Sequence, residues 1–310
     1  MPNLILSHTL RAGLTTSLML AAIAGAAVAG PYEDGVAAYV RGDYATALRL
    51  MRPFADQGLA AAQNNLGLMY YSGQGVPQNF AEAMKWYRLA AGQGDARAQN
   101  NLGFMYYSGQ GVPQNFAEAM KWYRLAADQG HDMAQVNLGF MYSSGQGVPQ
   151  DHAEAMKWYR LAAGQGNAKA EHDIGVIYLH GQGVPQDYAE AAKWFHLAAD
   201  KGNADAQHNL GLMYVQGQGV PQNFAEAMKW YRLAADQGNA PAQNDLGALF
   251  FMGQGVPQDF VLAHMWFDLS ATQGDQDATE NRDLAERRMT PEQIAEAQKL
   301  AREWKPKPER

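Results

Sequence analysis

The chain has 310 residues, 47% of them apolar, with a net charge of −7 and no cysteine. This is too apolar for a disordered chain, and it lacks the basic face expected of a nucleic-acid binder. The absence of cysteine excludes disulfides, thiolate metal sites and cysteine nucleophiles together.

The N-terminus reads as a leader. Arg11 precedes a mostly apolar run from Ala12 to Val28, and no acid occurs before Glu33. Ala27-Val28-Ala29 is a small-x-small cleavage pattern, so the expectation is a secretory signal peptide cut between Ala29 and Gly30. With no lipobox cysteine, the expected destination is the periplasm or the medium. An uncleaved anchor is the alternative, and the run is marginal for a membrane span.

From Tyr32 to Gly58 two helix-compatible stretches, Tyr32–Val40 and Ala45–Ala55, flank the short turn Arg41-Gly42-Asp43-Tyr44. The Arg-Gly-Asp triplet lies where one helix must stop and the next must be capped, which favours a structural role over adhesion.

Then a motif recurs. Gly75-Val76-Pro77 returns at Gly111, Gly147, Gly183, Gly219 and Gly255, always without insertion. A fixed period of this length marks a repeat array. Each repeat begins with helix A, running through Leu66-Gly67-Leu68-Met69-Tyr70 and its equivalents. Its starts have good N-caps in Asp95, Asn167, Asn203 and Asn239. A glycine-rich loop with the proline follows. Helix B then starts at Asn79, with Glu82 at capping-box spacing. It carries the apolar stripe Phe80, Ala83, Trp86, Tyr87, Ala90 and Ala91 and stops at Gly94. Gly67 recurs in mid-helix as Gly103, Gly139, Gly175, Gly211 and Gly247, at a cost of about 1 kcal/mol each against alanine. Such a cost predicts close helix–helix approach, with an aromatic ring over the missing side chain. Trp86, Trp122, Trp158, Trp194, Trp230 and Trp266 share one repeat position and read as core.

After Gly274, Gln276–Met289 and a helix from Pro291 to about Trp304 read as a cap on the open end of the core. Thr290 supplies an N-cap and Gln293 its capping-box partner. The expected organisation is a signal peptide over 1–29 and an abbreviated hairpin over 30–58. Six repeats over 59–274, capping helices over 275–304 and a tail over 305–310 complete it. The expected fold is all-α, a solenoid of stacked antiparallel helical hairpins.

In the second repeat the pattern is Ala98, Leu102, Gly103, Tyr106, Gly109, Gly111, Val112, Pro113, Ala119, Trp122, Tyr123, Ala126, Ala127 and Gly130. It resembles the Sel1-like repeat family, from Tyr32 to Trp304. The resemblance implies a solenoid close to tetratricopeptide repeats, with helix A on the concave face. It also implies adaptor roles in signalling, secretion, envelope regulation and host contact. Some cysteine-rich relatives are described as binding or hydrolysing β-lactams; this chain departs from them in having no cysteine.

The concave positions implied by the resemblance vary between repeats while the framework does not. They keep many large apolar members, and exposed apolar surface usually serves binding. The candidate partner-binding set is Asn64, Asn65, Leu68, Tyr71, Asn100, Asn101, Phe104, Tyr107, Phe140, His172, His180 and His208. Phe104, Tyr107 and Phe140 would anchor an extended peptide or a partner's loop, and the asparagines would hold its backbone amides. The partner is a protein or peptide; no catalytic residue, cofactor or metal is assigned. The alternatives are a peptidoglycan or glycan binder, since aromatics and amides also suit sugars, and, with less support, a hydrolase or a metal site. His172 and His208 lie one repeat apart, too far for one metal unless side chains converge. No G-x-S-x-G, H-E-x-x-H or phosphate-cradling motif occurs. The repeated Gly-Gln-Gly triplets are helix linkers.

Overall fold

The computed structural model describes residues 30–307; the expected signal peptide lies outside them. Among the described residues there are 16 helices and no strand. An N-terminal hairpin pairs α1 (Pro31–Val40) with α2 (Tyr44–Asp56). Six repeats follow, with helices A and B in alternation: α3 (Ala60–Ser72) and α4 (Phe80–Gly92); α5 (Ala96–Ser108) and α6 (Phe116–Asp128); α7 (Asp132–Ser144) and α8 (His152–Ala163). Then come α9 (Ala168–His180) and α10 (Tyr188–Asp200); α11 (Ala204–Gln216) and α12 (Phe224–Asp236); α13 (Ala240–Met252) and α14 (Phe260–Ala271). The chain ends with α15 (Gln276–Glu286) and α16 (Pro291–Glu303). By its internal contacts it forms two compact units, one ending at Ala134 and one starting at Gln135.

Within each of the six repeats the helix-A glycine meets a ring of helix B. A Cβ placed on Gly67 would lie 2.6 Å from the Tyr87 ring, and one on Gly175 2.7 Å from the Phe195 ring. The glycine therefore lets the two helices approach to ring thickness. The ring is the residue after the repeated tryptophan. Trp86, Trp158 and Trp266 are buried, while Trp122, Trp194 and Trp230 are half-buried.

Within each unit the loops pack on the preceding hairpin. Gly111 has φ +76° and packs on Phe80; a Cβ there would lie 2.7 Å from the Phe80 Cβ. Helix B starts as expected, with Asn79 accepting from the Glu82 N–H at 3.1 Å. The capping box is only half-formed, because the Asn79 N–H already donates to the Tyr70 carbonyl at 2.8 Å. The Glu82 carboxylate turns instead to Lys85 at 3.5 Å. The full box forms in α16, between Thr290 and Gln293. In the Arg-Gly-Asp turn, Gly42 takes φ +83° and Asp43 caps α2 by accepting from the Thr46 N–H at 3.1 Å.

A polar clamp, buried at its helix-A end, recurs beside these contacts. Gln93, just past helix B, donates to Gln63 of its own helix A at 2.7 Å, and Gln63 donates to the Ala55 carbonyl of the preceding hairpin at 3.1 Å. The same glutamine pair joins Gln129 to Gln99, Gln165 to Gln135, Gln237 to Gln207 and Gln273 to Gln243. The fourth repeat replaces it with an ion pair: Lys201 Nζ lies 2.5 Å from buried Glu171 and also donates to the Gly166 carbonyl at 3.1 Å.

The C-terminal helices cover the end of the last core cluster. Leu300, Ala301 and Trp304 pack there, with the Trp304 ring edge-on to Trp266 at 6.2 Å. The tail folds back through Lys307, whose backbone N–H meets the Asp236 carbonyl at 2.7 Å. In the third repeat the cap of helix A is a histidine: His131 Nδ1 accepts from the Ala134 N–H at 3.2 Å. Burial, the largest influence, lowers the pKa of His131 despite the nearby Asp132 carboxylate.

Two outcomes follow from these contacts. Lys201→Gln leaves the Glu171 carboxylate buried without its cation and should cost about 2 kcal/mol, while the Glu171→Gln/Lys201→Gln double variant, which rebuilds the glutamine clamp, recovers most of the loss. Urea unfolding of the four cycle members measures it. For His131 the folded pKa lies below the unfolded one, so its contribution is full above about pH 6.5 and is lost as pH falls through the lowered value. Between about pH 7.5 and about pH 5 the native chain should therefore lose more stability than His131→Asn, which keeps an N-cap without a titrating ring.

Candidate interaction surface

In the N-terminal unit the candidate residues lie on α3 and α5. Asn64, Asn65 and Leu68 are 5%, 4% and 4% exposed, so packing inside the stack has claimed them. Asn65 donates to the Tyr32 hydroxyl at 3.1 Å, and Asn101 donates to Asn64 Oδ1 at 3.0 Å. Asn100 is half-buried and also engaged. These amides tie one hairpin to the next.

The rings behave differently. Tyr71, Phe104 and Tyr107 are only half-buried. The Tyr71 ring leans on Phe80 at 5.4 Å and meets Phe104 edge-on at 6.3 Å. Tyr107 leans on Phe116 at 5.5 Å. The Tyr71 hydroxyl donates to Gln110 Oε1. Burial pushes its pKa up to about 12, with the Gln110 bond opposing the rise. The rings form an uncharged aromatic surface in which each ring rests at a tilt or edge-on against a neighbour and stays half-exposed.

In the C-terminal unit, Phe140 is 44% exposed and His180 is exposed at the end of α9. His172 is 9% exposed. Its Nε2 accepts from Asn209 Nδ2 at 3.1 Å, which leaves the proton on Nδ1, 2.9 Å from Asp173. Burial of Asp173 favours its neutral form, but the bond from His172 and the Lys169 charge outweigh this and hold its pKa below the usual range. His208 Nε2 lies 2.7 Å from Asp245. The two histidines are thus held in separate polar pairs. No group of three or more His, Cys, Asp or Glu side chains converges on one point among the described residues.

The paired asparagines and the glutamine clamp escaped the reading of the sequence. A signal for the clamp was present: the fourth repeat changes two glutamine positions together, to Glu171 and Lys201.

The Sel1 repeat is matched at residues 23–59, 60–95, 96–131, 132–167, 168–203, 204–239 and 240–275. The chain belongs to the Sel1 repeat family. Its first match covers the abbreviated hairpin and begins within the segment expected as leader. The chain is similar to a Sel1 repeat protein from Oxalobacter formigenes, at 34% identity over 79% of this chain and 98% of that one, with a TM-score of 0.73. It also matches c5321, a protective antigen of uropathogenic Escherichia coli strains displaying an SLR fold, at 28% identity over 95% of this chain and 78% of that one, with a TM-score of 0.39. A third match is a putative Sel1 repeat protein from Klebsiella pneumoniae, at 21% identity, 64% and 97% coverage and a TM-score of 0.45. No curated protein matches the chain. Sel1 repeat proteins generally serve as protein-interaction scaffolds.

Proposed function

We propose that this Sel1 repeat chain is an exported adaptor that holds a partner peptide or loop on the helix-A face of its N-terminal unit. The observation that carries the reading is the half-buried aromatic set Tyr71, Phe104 and Tyr107. On the same helices, the framework residues Leu66, Met69, Leu102 and Met105 are fully buried. Aromatic side chains offer large contact area at low entropic cost, which is why they dominate binding hot spots. The amides of Asn64, Asn65 and Asn101 are taken up inside the stack, so recognition rests on ring faces rather than on a row of free amides. The same fact weakens the glycan alternative, which needs those amides for sugar hydroxyls. In this reading the chain is not an enzyme. No described helix is long and apolar enough to cross a membrane.

Two measurements check this. With a partner recovered from envelope extract, Phe104→Ala/Tyr107→Ala should weaken binding about tenfold or more while the melting curve still shows a folded array. Unchanged affinity contradicts the placement. Export is checked by intact mass of the protein from the periplasm or medium: the reading predicts a mature chain beginning at Gly30, and a chain retaining residues 1–29 contradicts it.

A further inference from the structure

The ring that Tyr71 and Tyr107 place on the helix-A face is missing from three later repeats, and in the third repeat serine takes its place. In the first repeat, Tyr71 lies on Phe80, the first residue of helix B, and edge-on to Phe104 of the next repeat. Its hydroxyl bonds Gln110 in that repeat's loop. The N-terminal hairpin repeats the arrangement: the Tyr39 ring lies 5.2 Å from Tyr44, and its hydroxyl donates to Gln74 at 2.5 Å. The Gln74 amide in turn donates to Tyr44 at 3.0 Å. Tyrosine ring and loop glutamine are thus a matched pair at these two positions.

Two repeats after Tyr71, Phe80, Phe104 and Gln110, the equivalent residues are Ser143, His152, Val176 and Gln182. All four lie within the C-terminal unit. The frame of the rung is retained: a Cβ on Gly183 would lie 2.7 Å from the His152 Cβ, as one on Gly111 would from the Phe80 Cβ. What fills the frame has changed. Ser143 has no ring, and Val176 is smaller than phenylalanine. His152 Nδ1 is buried with no hydrogen-bond partner among the described residues. A buried polar atom without a partner costs free energy unless a ligand or water supplies one. In the later repeats Leu179, Val215 and Phe251 occupy the Ser143 position, and Phe251 leans on Phe260 at 5.3 Å. Only the third repeat combines a small residue there with an imidazole at the start of helix B.

We propose that this rung binds a tyrosine side chain of the partner. Its ring takes the place of the absent one between His152 and Val176, and its hydroxyl reaches the polar groups of Gln182 and His152. A phenol both donates and accepts, so it serves either tautomer of His152. Phe140, 44% exposed and one turn earlier on α7, supplies a second aromatic face beside the rung. The inference rests on the adaptor reading and adds to it a recognition position on the helix-A face of the C-terminal unit.

The test uses the full chain with N-acetyl-L-tyrosinamide as probe, followed by NMR of the histidine rings, with His152→Gln assigning the signal. The expected result is a saturable shift of His152, with a dissociation constant on the order of 1 mM for a ligand of this size. N-acetyl-L-phenylalaninamide, lacking the hydroxyl, binds several-fold more weakly. Ser143→Tyr supplies the ring within the chain, and should abolish the shift and raise the unfolding midpoint. An unmoved or non-saturating His152 signal in the native chain overturns the proposal, whether or not that variant folds. So does undiminished probe binding in folded Ser143→Tyr. The variant leaves Tyr71, Phe104 and Tyr107 untouched. If the probe fails while the partner is still lost on Phe104→Ala/Tyr107→Ala, the adaptor reading stands and the tyrosine rung falls.

Discussion

Each of the six repeats depends on one contact, the seat of a helix-B ring on a helix-A glycine. In all six repeats, a Cβ on that glycine would lie 2.4–2.7 Å from the ring atoms, closer than real side chains come. The glycine lowers helix propensity, and the close approach offsets that loss by packing a whole aromatic ring. It sets the separation of helices A and B. With that separation fixed, the loop emerges at a constant height and its glycine docks on the previous helix B. Regular spacing in the sequence is thus the trace of a regular distance in the fold.

The second constraint is polar. Stacked hairpins bury backbone carbonyls at the ends of helix B and amide side chains on helix A, and buried polar groups must be paired. The glutamine clamp meets this need in five repeats, and the Glu171–Lys201 pair meets it in the fourth. A second pairing tilts from one repeat to the next: Asn101 to Asn64, Asn209 to His172, Asp245 to His208, and Asn281 to Asn244. Polar residues on helix A thereby hold neighbouring hairpins in register, while the rings beside them remain partly open to a partner.

Much of the fold was legible before any coordinates. The period, the proline loops, the N-caps and the terminal glycines all act within one repeat, and local rules read them directly. Gly67 announced a ring across from it because its cost had to be compensated. The candidate surface was legible only in part. Tyr71, Phe104, Tyr107 and Phe140 keep exposed ring area, in keeping with their place on the drifting positions of helix A. Asn64 and Asn65 vary less simply: they are buried because their partners lie in the neighbouring hairpin, a distance in sequence that no helical period reports. The spacing of His172 and His208 already told against a shared metal, and each has its own partner, Asp173 and Asp245. The half-formed capping boxes have a similar origin. The Asn79 N–H is taken by Tyr70 across the loop, and only the folded hairpin shows it.

Repeated positions therefore build the spacing of the array. Gly103 tests this most directly, because helix propensity and packing predict opposite signs there. In an open helix Gly103→Ala would raise stability by about 1 kcal/mol. Here the new Cβ would sit 2.6 Å from the Tyr123 ring, so the urea unfolding midpoint should fall. A midpoint that rises would contradict the claim that the glycine–ring contact sets the spacing of the array.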